Sequence, residues 1–332
     1  MPISSTYSPN APAAKTGTGS AVSNREDLSN ELSLLAPEET PILSLCSKGK
    51  ATATFSEWTV DSLASPVTTG ISEGSDVTSF SDKFADRARL GNYVQLMRRD
   101  YLVSNLQQAV TSVGPANVAQ AEAKSMREIK RDIEATIASS NEMTVENGAG
   151  TPYGMRGLGK WVQVAAQATN PVPEAYRTPT LSILTTTLSE TTFNGMIGSI
   201  FSKNGEMNSL TLVANTALRT LISNFSRAVA STQNTYHVNQ DATSKTITLS
   251  VNLYDSDFGM VKIVNGNPSC MPTGSGTNFG YILNPKYLGF NTLIPMGATR
   301  LENQGGGERG FVDVAGTLCV KHPQAHGKIA YT

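Results

Sequence analysis

Ala51-Thr-Ala-Thr-Phe55-Ser-Glu-Trp58-Thr-Val60 and Ala88-Arg-Leu90-Gly-Asn-Tyr93-Val94-Gln-Leu96-Met-Arg-Arg-Asp-Tyr101-Leu102-Val103 both read as strands. The segment between them begins Asp61-Ser-Leu-Ala-Ser-Pro66 and runs through Phe80-Ser-Asp-Lys83-Phe84, with almost no apolar periodicity. Hairpin loops usually hold two to five residues, and a structureless loop several times longer is out of place inside a compact domain. Such a segment reads as an arm that projects from the body and finds its ordering contacts on another molecule. This reading directs attention to assembly rather than to an active site.

Composition agrees. Of 332 residues, 39% are hydrophobic and 16% charged, both low, while Ser, Thr, Asn and Gly fill the difference. That balance suits β-structure and large polar contact surfaces better than a helical bundle. The 26 basic and 27 acidic residues give a formal charge of −1. No basic stripe of the kind that sequence-specific DNA recognition needs is visible. No apolar run approaches the roughly 20 residues of a membrane helix. The first 22 residues carry Pro2, Pro9, Pro12 and Lys15 without the apolar core of a secretory signal. Cys46, Cys270 and Cys319 lack metal-site spacing and read as buried free thiols of a protein made in a reducing cytoplasm.

Along the chain, residues 1–22 read as an extended low-complexity segment. Ordering them alone would cost about 20–40 kcal/mol, so they are expected to lie pinned against a neighbour. Ser23-Asn-Arg-Glu26 opens a short helix as a capping box, with Leu28, Leu32 and Leu35 following and Pro37 ending it. A brief turn runs from Thr40-Pro41 to Leu45, and Gly49 is expected to break the chain before the first strand. Ser104–Thr111 reads as helical. A long helix is predicted from Pro115 to about Ser140, with a narrow stripe of Met126, Ile129, Ile133 and Ile137. Lys124/Glu128 and Lys130/Glu134 are expected to pair on its wet face, making it a strut across a sheet. From residue 189 the pattern is globular α+β. It has a helix capped by Ser189, with Phe193, Met196, Ile197, Ile200 and Phe201 on one face, then a strand Leu210–Ala214, and then a helix capped by Asn215. Alternation marks strands at Ile247–Leu253 and at Val312–Val320.

Glu39-Thr-Pro-Ile-Leu-Ser-Leu-Cys-Ser-Lys-Gly-Lys-Ala-Thr through Trp58-Thr-Val-Asp-Ser-Leu-Ala resembles the N-terminal signature of major capsid proteins of tailed double-stranded DNA phages. Arg89-Leu-Gly-Asn-Tyr93 is similar to that group's return strand. Glu128-Ile-Lys-Arg-Asp132 resembles its spine helix, Gly157-Leu-Gly-Lys-Trp161 the segment after it, and Ala325-His-Gly-Lys-Ile329 its ending. The resemblance implies the α+β Hong Kong 97-like capsid fold. In that fold residues 1–50 would be an N-terminal arm, 51–103 an extended loop, and 104–188 the spine helix and peripheral domain. Residues 189–304 would form an axial domain, and 305–332 the return strand of the peripheral domain and the C-terminus. It also implies a shell of pentamers and hexamers around DNA contacted without sequence preference, with a portal and separate scaffolding or decoration proteins as partners. A virion capsid assembled in the host cytoplasm would be its place.

No chemistry-bearing motif stands up to inspection. Gly154-Met-Arg-Gly-Leu-Gly159-Lys160-Trp161 fits a phosphate loop until its eighth position. There Trp161 replaces the hydroxyl that would bind magnesium, so it reads as a loop leading to a packed tryptophan. His322 and His326 flank Pro323 and read as turn residues rather than a metal pair, and Asp255-Ser-Asp257 reads as a β-turn. No catalytic residue, cofactor or metal is assigned, and the chain is read as non-enzymatic. Phe80, Lys83 and Phe84, near the loop tip, are the expected inter-subunit contacts. The alternative reading is a phage tail-fibre or carbohydrate-binding β-rich module.

Overall fold

The computed structural model describes residues 38–110, 117–177, 182–183, 188–204, 210–225, 252–271 and 278–331. The expected capping-box helix and the strand at residues 247–251 lie outside them. In chain order the elements begin α1 (Pro41–Leu45), β1 (Ser47–Lys50), β2 (Phe55–Val60), β3 (Ala88–Tyr93), β4 (Gln95–Val103), α2 (Asn105–Ala109) and α3 (Val118–Ala138). Next come α4 (Leu158–Trp161), β5 (Ser182–Ile183), α5 (Glu190–Asn204), β6 (Leu210–Ala214) and α6 (Thr216–Phe225). The chain finishes with β7 (Leu253–Ser256), β8 (Gly259–Asn265), β9 (Asn278–Leu283), β10 (Leu288–Leu301), β11 (Glu308–Val320) and β12 (Gly327–Tyr331).

These strands form three sheets. A four-stranded sheet runs β1-β10-β11-β4, a six-stranded sheet β5-β12-β9-β6-β8-β7, and β2 pairs with β3 as a separate ribbon. The run 88–103, read as one strand, is therefore two. β3 pairs antiparallel with β2, whereas β4 pairs antiparallel with β11. Asn92 and Val94 mark the change of partner. The Val94 N–H donates to the Thr54 carbonyl at 2.8 Å, leaving the four-stranded ladder to start at Gln95. Asn92, fully buried, donates from Nδ2 to the carbonyls of Leu318 and Arg156 and accepts from the Arg156 N–H. Gly49 does not break the chain. It lies inside β1, where a Cβ would come 2.0 Å from Asn291 Oδ1 on the neighbouring β10.

α3 lies across β4 and β11, as expected of a strut. Asn117 caps it by accepting from the Gln120 N–H at 2.9 Å, and 21 residues give it a length of about 31 Å. Ile129, Ile133 and Ile137, four apart, are buried against Met97, Tyr101, Val312 and Val314. The Arg99 guanidinium grips Asp132 with two bonds of 2.7 and 2.8 Å, fastening β4 to the helix. Glu134, expected on the wet face beside Lys130, is 1% exposed and accepts instead from the Ile42 and Leu43 N–H groups of α1. The register explains it: Glu134 directly follows Ile133 and precedes Ile137 by three residues, so it shares their buried side.

α5 and α6 cover one face of the six-stranded sheet. Phe193, Met196, Ile197, Ile200, Leu218 and Ile222 meet Leu212, Val261, Ile263, Ile282 and Ile329 there. Ser189 and Asn215 cap the two helices as their side-chain types predict. Phe201 departs from the expected buried face: it stays 40% exposed and meets the Phe258 ring. The sheet's other face contributes Val213, Phe279, Tyr281 and Leu283 to the core around α3. The Tyr281 hydroxyl donates to the Ala138 carbonyl at 2.8 Å, joining the end of α3 to β9. All three cysteines are free and buried, and burial pushes the Cys319 thiol up to about 11.

Candidate assembly interface

Every residue from 61 to 87 is exposed. The β2–β3 ribbon ends at Val60↔Ala88, and the Arg87 guanidinium pairs with Asp61 at 3.1 Å just beyond it. The Tyr176 hydroxyl also donates to the Asp86 carbonyl. Past these ties the segment makes only local turns, Ser75 N–H to Ser72 and Arg87 N–H to Phe84, with Gly74 at φ +76°.

Phe80 is 90% exposed and Phe84 64%, and Lys83 is exposed between them. Phe84 has local company: its N–H donates to Asp82 and the Arg87 guanidinium lies 4.6 Å from its ring centroid. Sequence reasoning missed Leu63, Val67, Ile71 and Val77, which are more exposed than Phe84. The signal was present, because these four are large apolar residues in an otherwise polar run. Outside the Asp61–Arg87 pair the segment carries Glu73, Asp76, Asp82 and Asp86 against Lys83, so it is apolar and acidic together.

The ribbon is rooted on an aromatic and ionic cluster. Trp58 stands 5.6 Å from Trp161, which is 1% exposed, as the reading of residues 154–161 required. The fully buried Arg156 lies over the Trp161 ring at 4.9 Å and pairs with Glu142 at 2.7 Å. It also donates to the Thr169 and Asn170 carbonyls. Burial lowers the Arg156 pKa, and the hydrogen bond and charge of Glu142 oppose that shift. A cavity of about 260 Å³ opens beside the cluster, lined by the ribbon residues Phe55, Glu57, Arg89 and Leu90 and by Trp161 and Asn170.

A second apolar surface lies on the four-stranded sheet, on the face turned from α3. The cross-strand rows Leu102–Arg309–Leu301 and Leu96–Ala315–Ile294 leave four large side chains about half exposed. The histidines behave as turn residues. His326 is buried, its Nδ1 accepts from the Asn284 N–H, and burial pushes it down to about 3, so it is neutral. Among the described residues no cluster of His, Cys, Asp and Glu could hold a metal, and no helix is long and apolar enough to cross a membrane.

The family model of the SU10 major capsid protein matches residues 14–332. The chain belongs to that family. Membership in the SU10 family makes it a structural protein of a phage capsid, and the tail-fibre or carbohydrate-binding reading falls away. Solved structures share this chain's fold at low identity. The capsid of cyanophage P-SCSP1u has a TM-score of 0.63 at 11% identity, covering 96% of this chain and 95% of that one. The capsid of the native GTA particle has a TM-score of 0.61 at 12% identity, covering 97% and 98%. Gordonia phage Cozz gives 0.59 at 13%, covering 97% of each. No curated protein matches the sequence.

Proposed function

We propose that this capsid protein has the Hong Kong 97-like fold and builds an icosahedral head of pentamers and hexamers around double-stranded DNA. The observation that carries the reading is the fully exposed segment 61–87 on its short ribbon, with six large apolar side chains 64–99% exposed. An isolated soluble protein gains nothing from such a segment, whereas a lattice buries it.

In this reading residues 1–50 form the N-terminal arm and 51–103 carry the extended loop. Residues 104–188, with α3, form the spine helix and peripheral domain, 189–304 with α5 and α6 the axial domain, and 305–332 the return strand of the peripheral domain and the C-terminus. Phe80, Lys83 and Phe84 touch a neighbouring subunit, each contact modest and multiplied by the closed symmetry of the shell. DNA contact is weak, sequence-blind and confined to the inner face, consistent with a net charge near zero. Portal, scaffolding and decoration proteins are separate chains, assembly takes place in the host cytoplasm, and the subunit performs no catalysis. Deleting residues 66–84 tests the reading: a soluble subunit that forms no shells is expected, and normal shells from the deletion would overturn the role of the loop.

A further inference from the structure

The cavity at the root of the ribbon is smaller than an ordinary ligand site and has aromatic walls. Its volume of about 260 Å³ lies below the roughly 300–1,000 Å³ of small-molecule sites. Phe55 and Trp161 supply aromatic walls, and Arg89 and Glu57, 3.7 Å apart, stand at its rim. Trp161 is 1% exposed, yet its Nε1–H has no acceptor among the described residues. A buried donor without an acceptor is costly. Asn170, which also lines the cavity, holds a positive φ of 41°, a conformation that asparagine tolerates better than most residues.

We infer that this cavity receives Phe80 from the extended loop of a second copy, an inference that rests on the shell reading above. The chemistry of the walls selects the occupant. An aromatic ring packs edge-to-face or offset against Phe55 and Trp161. Leu63, Val67, Ile71 and Val77 offer no ring. Phe84 is already engaged by Arg87, whereas no ring or cation contact holds Phe80 among the described residues. Charge agrees as well: Asp82, two residues beyond Phe80, is complementary to the exposed Arg89 at the rim. The occupant comes from another molecule because the chain's own segment stays exposed throughout.

The chain provides its own reporter. Its only two tryptophans, Trp58 and Trp161, both sit at this root. A synthetic peptide of residues 74–88 is titrated into full-length unassembled subunit while tryptophan emission is followed, and assembly of the same preparation is imaged in parallel. The peptide should change the emission saturably, and an F80A peptide should bind roughly thirtyfold more weakly, the cost of losing an aromatic anchor. Emission should likewise change when subunits enter shells. Equal binding by the two peptides, or shells whose emission matches that of free subunits, would overturn the cavity assignment and leave the shell reading standing. An emission difference between free wild-type and free F80A subunits would place Phe80 in its own cavity and also overturn it. Absence of shells from the wild-type chain would instead strike the reading on which the inference rests.

Discussion

Glu134 on α3 accepts the Ile42 N–H of α1 at 2.8 Å across 92 residues of sequence, and its second oxygen takes the Leu43 N–H at the same distance. Thr40, at the cap position of α1, makes no side-chain cap, and Pro41 has no N–H to satisfy. The carboxylate therefore caps a five-residue helix that could not persist alone, and so fixes where β1 joins the edge of the four-stranded sheet. Glu134→Ala should destabilise the subunit by about 1–3 kcal/mol, read from the denaturant midpoint. Burial holds the Glu134 carboxyl above the ordinary carboxylate range, against the opposing pull of the two N–H groups. The folded state thus binds this proton more tightly than the unfolded chain. Its contribution to stability is greatest below the unfolded pKa, near 4.5, and is lost as pH rises through the folded pKa. Glu134→Gln should remove that pH dependence.

The Arg156–Glu142 pair predicts an asymmetry. The Arg156 side chain is wholly buried and that of Glu142 is 20% exposed. Glu142→Ala strands a buried cation and should cost roughly 3–5 kcal/mol. Arg156→Met leaves the anion nearer to water and should cost less. Chemical denaturation of the two variants gives the comparison, and equal losses would contradict it.

Two glycines should respond differently to alanine. A Cβ at Gly157 would come 2.3 Å from the Ser139 carbonyl, a backbone atom at the end of α3 that cannot step aside. At Gly49 the obstruction is the far end of the Asn291 side chain. Gly157→Ala should destabilise by about 1–3 kcal/mol and Gly49→Ala by less than about 1 kcal/mol, measured by thermal unfolding.

The strut helix and the exposed loop were legible in the sequence because each has a local signature. Ile129, Ile133 and Ile137 repeat at helical spacing, and residues 61–87 lack any period at all. The division of 88–103 between two sheets was not legible. It depends on Asn92 bonding to Leu318 and Arg156 and on Val94 bonding to Thr54, contacts 40 to 226 residues apart that leave no local pattern. Glu134 was misassigned for the same reason. Its charge and its spacing from Lys130 suit a wet face, and only the distant α1 explains its burial. At the loop, Phe80 and Phe84 are marked by their aromatic rings, while Leu63, Val67, Ile71 and Val77 are single aliphatic residues in an otherwise polar run.

Those four aliphatic side chains give a further expectation. Replacing Leu63, Val67, Ile71 and Val77 with serine should leave the thermal stability of the isolated subunit within about 0.5 kcal/mol per site, since all are exposed. The same variant should assemble poorly in a sedimentation assay, because in a lattice these groups are buried. A large loss of subunit stability would show instead that the loop packs on its own body.

In the proposed assembly, copies of this chain close into a shell through their exposed loops. The direct measurement is negative-stain electron microscopy of purified full-length chain across a range of concentrations and ionic strengths. Rings of five and six subunits and closed shells are expected. A uniform population of monomers under all of these conditions would contradict the account.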